Sequence, residues 1–179
     1  YLSCDLVTVR DGEKVIDVGA FIGAVSIGIA EQGGEVIAVE PSERNAECIR
    51  RNAAEFGVAD LVTVVQNPVY SSQTTMTLNL SEDPTDNSLI NPDTPQIRTE
   101  EVETTTIDSL AIEHNFSQID LLKMDAEGVE PEVLEGASET SIRQVAIDCS
   151  AEKKGHTTFD QLHEWLTQRG YKTTRSDNQ

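Results

Sequence analysis

A short apolar run that breaks into glycines constrains the fold of this chain more than any other stretch. Residues 15–18 read Val-Ile-Asp-Val, and Gly19 and Gly23 precede an apolar segment that reaches Ala30. Such a β-branched run is typical of a strand buried on both faces of a parallel sheet. Glycines behind it let the backbone approach a ligand, and the first N–H groups of the following helix favour a polar or anionic group. The stretch predicts a strand, a ligand-binding turn and a helix.

A second strand that ends in a carboxylate supports this interpretation. Residues 35–40 read Glu-Val-Ile-Ala-Val-Glu. Glu40 stands about twenty residues beyond Gly19, where nucleotide-binding α/β folds place the acid that hydrogen-bonds ribose hydroxyls. Alone, the glycine turn is compatible with a tight connection and Glu40 with a cap for the next helix. Together they predict a nucleoside site.

The apolar pattern continues in alternating strands and helices. A helix is predicted between Ser42 and Gly57 and a third strand at 61–65, followed later by strands at 119–124 and 142–149. This alternation predicts an α/β, Rossmann-like doubly wound, mostly parallel sheet flanked by helices. Near the end, Thr158 and Gln161 match a capping box at the start of a helix, and a sixth strand is expected to begin at Tyr171.

The length of 179 residues fits one domain spanning 1–179. Residues 1–12 are expected to form an N-terminal edge segment. Residues 68–105 contain β-prone runs and a stretch rich in Asp, Asn, Pro and Thr. They predict a small β-rich insertion after the third strand, serving either as a substrate-recognition element or as a solvated loop.

The charge balance narrows the range of partners. The net charge is -19, with 32 acidic against 13 basic residues spread along the chain, which argues against nucleic-acid binding. The acidic excess suits either a protein from a salt-loving organism or an ordinary acidic protein. No leader or long apolar run is visible, so no membrane association is expected. Cys4, Cys48 and Cys149 lack metal or disulfide spacing, and we expect reduced thiols in a cytoplasmic protein.

Charged and polar residues follow several of the predicted strands. In open α/β sheets, ligands bind beyond the carboxyl ends of the strands, at the switch point between the first and the fourth. We therefore expect the residues at these ends to converge: Asp17 and Gly19 on the first strand, Glu40 on the second, Asn67 after the third, and Lys123, Asp125 and Glu127 on the fourth.

Four blocks of the chain carry a family resemblance. VIDVGAFIGAVSIGIA, VIAVEPSERNAECIRRNA, VETTTIDSL and IDLLKMDAEGVEPEVLEGA resemble, in order, the FkbM family of S-adenosylmethionine-dependent methyltransferases, and they cover most of residues 13–137. The resemblance implies the class I methyltransferase fold with S-adenosylmethionine as cofactor. It places Asp17, Gly19, Ala20, Phe21 and Gly23 around the methionine end, Glu40 on the ribose and Asn67 near the adenine.

One position departs from the family pattern. Phe21 stands where the family commonly has Asn. The contact with the cofactor's carboxylate is then expected from a backbone N–H.

The resemblance also implies a reaction, the transfer of a methyl group to a hydroxyl of a sugar, polysaccharide or secondary metabolite. Asp125 is the first candidate for general base or for orienting that hydroxyl, with Lys123 and Glu127 beside it. A salt bridge between Lys123 and the acids is the structural alternative. Asp125 and Glu127 would also suit a divalent metal, which is not required by the sequence. Glu130 is interpreted as a helix-start charge, and His156 is a further candidate base.

Two other functions compete with methyl transfer. A nicotinamide-dependent oxidoreductase would share the sheet and the acid on the second strand, but its G-x-G-x-x-G fingerprint would have glycine where Phe21 stands. A non-catalytic nucleoside-binding domain would keep the pocket and lack the chemistry. The acceptor and the oligomeric state are not readable from the sequence.

Overall fold

A computed structural model of the chain describes residues 8–83, 85, 87–90, 94–149 and 157–175. Strands and helices alternate along most of this length. They are β1 (Lys14–Val18), α1 (Ala24–Ala30), β2 (Glu35–Val39), α2 (Glu43–Glu55), β3 (Val62–Val65), β4 (Thr75–Ser81), β5 (Gln96–Glu103), α3 (Ile107–Glu113), β6 (Ile119–Met124), α4 (Glu130–Glu135), β7 (Ile142–Ile147) and α5 (Phe159–Gln168).

Five of the strands form one parallel sheet in the order β3-β2-β1-β6-β7. The chain therefore leaves β1 in one direction through β2 and β3, and returns to its other side through β6 and β7. The switch point lies between β1 and β6, where a ligand site is expected. The Rossmann-like, doubly wound α/β fold predicted from the sequence is confirmed.

Both faces of this sheet are covered, which explains why its strands are apolar without alternation. Val15 and Leu121 pack with α1 and α2 on one face. Ile16 and Leu122, the next residues along β1 and β6, pack with α3, α4 and α5 on the other. The central strands are thus fixed from two sides, and their carboxyl ends are held at defined positions.

The segment after β3 forms an antiparallel hairpin, as the prediction of a β-rich insertion required. β4 pairs with β5 from Thr75 opposite Glu103 to Ser81 opposite Gln96. Leu78 is buried, whereas most of β5 is exposed. One face of β4 therefore packs onto the protein and the outer strand faces solvent.

Two details near the end of the chain differ from expectation. Thr158 is the N-cap residue of α5 but makes no side-chain capping bond. Its hydroxyl instead donates to the Glu130 carboxylate at 3.4 Å, so the capping-box prediction was wrong. Residues 171–175 form no strand, and the Tyr171 hydroxyl donates to the carbonyl of Ile142 at 2.6 Å.

Some predictions fall on positions outside the described residues. These are Cys4 with most of the N-terminal edge segment, and the candidate base His156. Within the described ranges, no helix is both long and apolar enough to cross a bilayer.

Candidate active site

A pocket opens at the carboxyl ends of β1, β2 and β6. It encloses about 540 Å³, within the usual range for small-molecule sites. The strand ends form one wall, and the insertion contributes a second through Leu78, Thr85, Asn87 and Leu89. The pocket therefore lies at the switch point, between the predicted site residues and the hairpin.

Gly19 permits the closest approach in this region. Its φ is +72°, and a Cβ atom built on it would lie 1.8 Å from the carbonyl oxygen of Asp125. No other residue type fits there, because both the left-handed backbone and the contact exclude a side chain. The absence of a side chain lets the ends of β1 and β6 meet at the pocket. Gly23, φ +87°, is buried against Ile49 and lies behind the wall.

Glu40 organises the turn after β1 through its carboxylate. One oxygen accepts the N–H of Phe21 at 3.0 Å, and the other accepts the N–H of Ser42 at 3.0 Å and the Asn45 amide at 3.3 Å. Burial raises the pKa of Glu40 from 4.5 to about 7, although these hydrogen bonds act to lower it. A ligand hydroxyl that donates to this carboxylate would favour its charged form.

Phe21 adopts the left-handed conformation, with φ of 51°. Few residues other than glycine and asparagine occur there, so the surrounding bonds must hold it in place. A backbone N–H was expected to replace the family's Asn in binding the cofactor's carboxylate, but the N–H of Phe21 donates to Glu40. Ala20, which also lines the pocket, directs its N–H to the carbonyl of Val39 at 3.0 Å.

Asp17 lies beneath the pocket rather than in its wall. It is fully buried, accepts the Ser26 hydroxyl at 2.6 Å and lies 3.1 Å from the ammonium of Lys123, its register partner on β6. Lys123 also donates to the carbonyl of Gly19 at 2.9 Å. The ammonium therefore ties β6 to the turn after β1, and the acid that it contacts is Asp17.

Asp125 follows β6 and lines the pocket. Burial raises its pKa; Lys123 acts to lower it, whereas Asp148 and Asp17 act to raise it further. A carboxyl group with a raised pKa that faces a ligand pocket is suited to proton transfer. Glu127 lies beside it in the same wall.

The structure also places residues differently from the sequence expectation. Asn67 is exposed, lies outside the wall and donates to the carbonyl of Glu103 at 2.9 Å, whereas Pro68 and Val69 line the pocket. Asp148, at the end of β7, lines the pocket and was not among the predicted site residues. Its position after a strand adjacent to β6 was the signal that would have identified it.

A metal site needs several ligand side chains close together. In the parts of the chain that the structure describes, no three His, Cys, Asp or Glu side chains are grouped to hold a metal ion. The alternative of a divalent metal at Asp125 and Glu127 thus gains no support from the geometry.

The fold and the pocket together define a Rossmann-like α/β protein with a pocket at the switch point. Comparisons with known proteins narrow this class. Residues 17–173 match the family model described as the Methyltransferase FkbM domain. The chain therefore belongs to the FkbM family of S-adenosylmethionine-dependent methyltransferases.

Solved structures agree with this fold. Methyltransferase FkbM from Methylobacillus flagellatus KT superposes with a TM-score of 0.62 at 21% identity, covering 93% of this chain and 40% of that one. The C-terminal domain of precorrin-6Y C5,15-methyltransferase from Rhodobacter capsulatus gives a TM-score of 0.58 at 16% identity, covering 96% and 70%. The chain thus spans less than half of the first structure. Among curated proteins, none matches it significantly.

Proposed function

We propose that this chain transfers the methyl group of S-adenosylmethionine to a hydroxyl oxygen, on a sugar, polysaccharide or secondary metabolite. The main support for the proposal is that two strand ends with different chemical groups line the same pocket. Glu40, directly after β2, suits ribose hydroxyls, and Asp125, directly after β6, suits a proton transfer. Gly19 follows β1, which lies between β2 and β6, and its lack of a side chain permits the close approach of the Asp125 backbone.

The turn after β1 would hold the cofactor. Glu40 would bind its ribose, and Gly19, Ala20 and Phe21, which line the pocket, would hold its methionine end. Asp17 supports this turn from below through Lys123 and Ser26. Pro68 and Val69, which follow β3 and line the pocket, would contact the adenine.

The reaction needs an acceptor oxygen in line with the methyl carbon and the sulfur. S-adenosylmethionine, when bound, would supply an electrophilic methyl group to that oxygen, with the electron pair of the broken carbon–sulfur bond retained by the departing S-adenosylhomocysteine. The hydroxyl proton passes to the Asp125 carboxylate, which its environment makes a better base than an exposed Asp. Holding the reacting atoms about 3 to 3.5 Å apart supplies much of the rate enhancement. Lys123 holds the end of β6, and Glu127 faces the acceptor.

The insertion selects the acceptor in this proposal. Leu78 and Leu89 offer apolar surface to the pocket, and Thr85 and Asn87 offer hydrogen-bonding groups. A wall of mixed apolar and hydrogen-bonding groups suits the alternating C–H and O–H surfaces of a sugar or a hydroxylated metabolite.

Methyl transfer from tritiated S-adenosylmethionine tests the proposal. The acceptor panel contains the methyl glycosides of glucose, galactose and mannose, together with catechol, and products are identified by NMR. O-methyl products are expected. Methylation of catechol at a ring carbon instead of a hydroxyl oxygen would contradict the assignment to oxygen.

Calorimetry with S-adenosylhomocysteine and NADH separates the competing functions. Binding of S-adenosylhomocysteine alone is expected. Binding of NADH alone would favour an oxidoreductase. Cofactor binding without turnover on any hydroxylated acceptor would favour a non-catalytic domain.

A further inference from the structure

A fully buried carboxylate lies behind the pocket wall that carries Asp125. Glu130, at the start of α4, has no exposed surface and is not part of the pocket lining. One of its oxygens accepts the N–H of Ala126 at 3.0 Å and the N–H of Gly128 at 3.1 Å. Burying a carboxylate is energetically costly unless it is well hydrogen-bonded. Glu130 therefore does more than place a negative charge at the start of α4, which is the role that the sequence suggests.

The two amides held by Glu130 flank Glu127. Glu127 has a φ of 52°, a left-handed conformation that is uncommon for a residue with a long side chain. Such a backbone persists when surrounding contacts over-determine it. Because both amides bind the same oxygen, Glu130 supplies such contacts on either side of Glu127 and fixes residues 125–128, here called the acceptor loop.

Two further contacts hold the acceptor loop and the clamp, the name used here for Glu130 with its bonds to the amides of Ala126 and Gly128. The Ser88 hydroxyl, from the insertion, donates to the carbonyl of Glu127 at 3.2 Å. Thr158, itself almost fully buried, donates to the second oxygen of Glu130 at 3.4 Å. The loop is therefore held from within by α4 and α5 and from outside by the insertion.

We propose that Glu130 is a positioning residue for methyl transfer, because it fixes the backbone that presents Asp125 and Glu127 to the acceptor. The catalytic effect of Glu130 rests on the proposed function, whereas its hydrogen bonds to the acceptor loop do not. Glu130 acts through the loop and touches neither cofactor nor acceptor. Its loss should therefore affect the acceptor step and spare the cofactor.

Two variants separate the hydrogen bonds from the volume. Glu130→Met keeps a long side chain and removes both acceptor oxygens. Glu130→Gln keeps one oxygen able to accept both amides. For the best acceptor in the glycoside and catechol panel, kcat/KM should fall about ten- to a hundredfold in Glu130→Met, because small displacements at the reacting centre are costly. It should stay within about threefold of the unchanged protein in Glu130→Gln, since the amide oxygen preserves the loop.

The control readout is the affinity for S-adenosylhomocysteine, which should change by less than about threefold in both variants because the proposed cofactor contacts lie in the turn after β1 and directly after β2. Glu135→Gln, an exposed carboxyl group on the same helix, should change neither quantity. A parallel loss of cofactor affinity and turnover in Glu130→Met would mean a general structural role and overturn the proposal. So would unchanged kcat/KM in Glu130→Met.

Amide hydrogen exchange of the unmodified protein tests the clamp even if Glu130→Met fails to fold. The amides of Ala126 and Gly128 should be protected, and they should remain protected in Glu130→Gln. Rapid exchange of both amides in the folded protein would overturn the inference. If the clamp is present but neither S-adenosylhomocysteine binding nor methyl transfer occurs, the proposed function fails and the positioning role fails with it. If methyl transfer occurs without protection, the positioning role alone fails.

Discussion

The two halves of the pocket are built in different ways. On the cofactor side, the turn after β1 is held by its neighbour β2: Gly19 and Ala20 donate to the carbonyl of Val39, and Phe21 donates to Glu40. On the acceptor side, the acceptor loop is held by Glu130, which follows it directly, and by Ser88 from the insertion, while Thr158 at the start of α5 holds Glu130.

This difference separates a locally encoded half from an assembled one. The cofactor half needs glycines and one carboxylate at fixed spacings, so a short stretch of sequence specifies most of it, with Lys123 of β6 as an added contact. The acceptor half exists only when the insertion, α4 and α5 have packed around the loop. Substitutions in the first half should therefore affect folding or cofactor affinity, and those in the second should affect turnover.

The largest effect is expected at the contact that joins the two halves. Gly19→Ala forces a Cβ against the Asp125 carbonyl, whereas Gly12→Ala, at a similar φ of +77°, has nothing within 4 Å. The left-handed strain common to both costs about 1 to 2 kcal/mol. Overpacking should add about 1 to 3 kcal/mol or more in Gly19→Ala alone. Urea unfolding measures both variants, and equal losses of stability would show that the close approach does not exist.

Asp125→Asn should remove activity from the acceptor half without disturbing the cofactor half. Turnover is expected to fall by about a hundredfold or more, since a positioned base contributes about 10² to 10⁴. Affinity for S-adenosylhomocysteine should stay within about a few-fold, because Asp125 faces the acceptor. Glu135→Gln is the matched control on the surface. Unchanged methyl transfer by Asp125→Asn would exclude Asp125 from the mechanism.

Glu40→Ala should produce the opposite split. Loss of a hydrogen-bonding carboxylate should weaken S-adenosylhomocysteine binding by about 1 to 3 kcal/mol, as measured by calorimetry. Glu35→Ala, at the other end of β2, provides the control, because it lies away from the pocket. Equal affinities for the two variants would contradict the assignment of Glu40 to the ribose.

A smaller effect is expected from pH. Glu40 has a pKa of about 7 in the free protein, compared with an ordinary value of 4.5, and ribose hydroxyls favour its charged form. Cofactor binding should therefore release a proton and tighten as the pH rises from about 6 to about 8, by about tenfold at most. Glu40→Gln should abolish this dependence in calorimetry. An identical pH slope in the variant would assign it to another group.

The same pKa fixes the sign of a stability effect. Folded Glu40 retains a proton that the unfolded chain releases above pH 4.5. Its favourable contribution to the free energy of unfolding is therefore complete below that pH, and it is lost as the pH rises through about 7.

The contrast between the two halves also explains which features of the site can be predicted from the sequence and which cannot. The strands, the glycine turn and Glu40 follow from periodicity and spacing, which are local. The partner of a side chain near a strand end depends on residues far away in the sequence. Lys123 contacts Asp17 because the register of β1 and β6 pairs the two residues. Asn67 likewise turns toward the carbonyl of Glu103, on the insertion.

Two further differences have separate causes. Thr158 matched a capping box, but its hydroxyl donates to Glu130, a residue on another helix that local spacing does not reveal. Glu130 matched a helix-start charge, but its carboxylate also accepts the N–H groups of Ala126 and Gly128. These partners are close in sequence, but the bonds form only because the acceptor loop turns back toward the start of α4.

A crystal structure with S-adenosylhomocysteine tests the central claim, that the two halves form one methyl-transfer site. The ribose hydroxyls should donate to Glu40, and the sulfur should face the space beside Asp125, with room for an acceptor hydroxyl between them. A cofactor bound with its sulfur directed away from Asp125, or with its ribose away from Glu40, would contradict it.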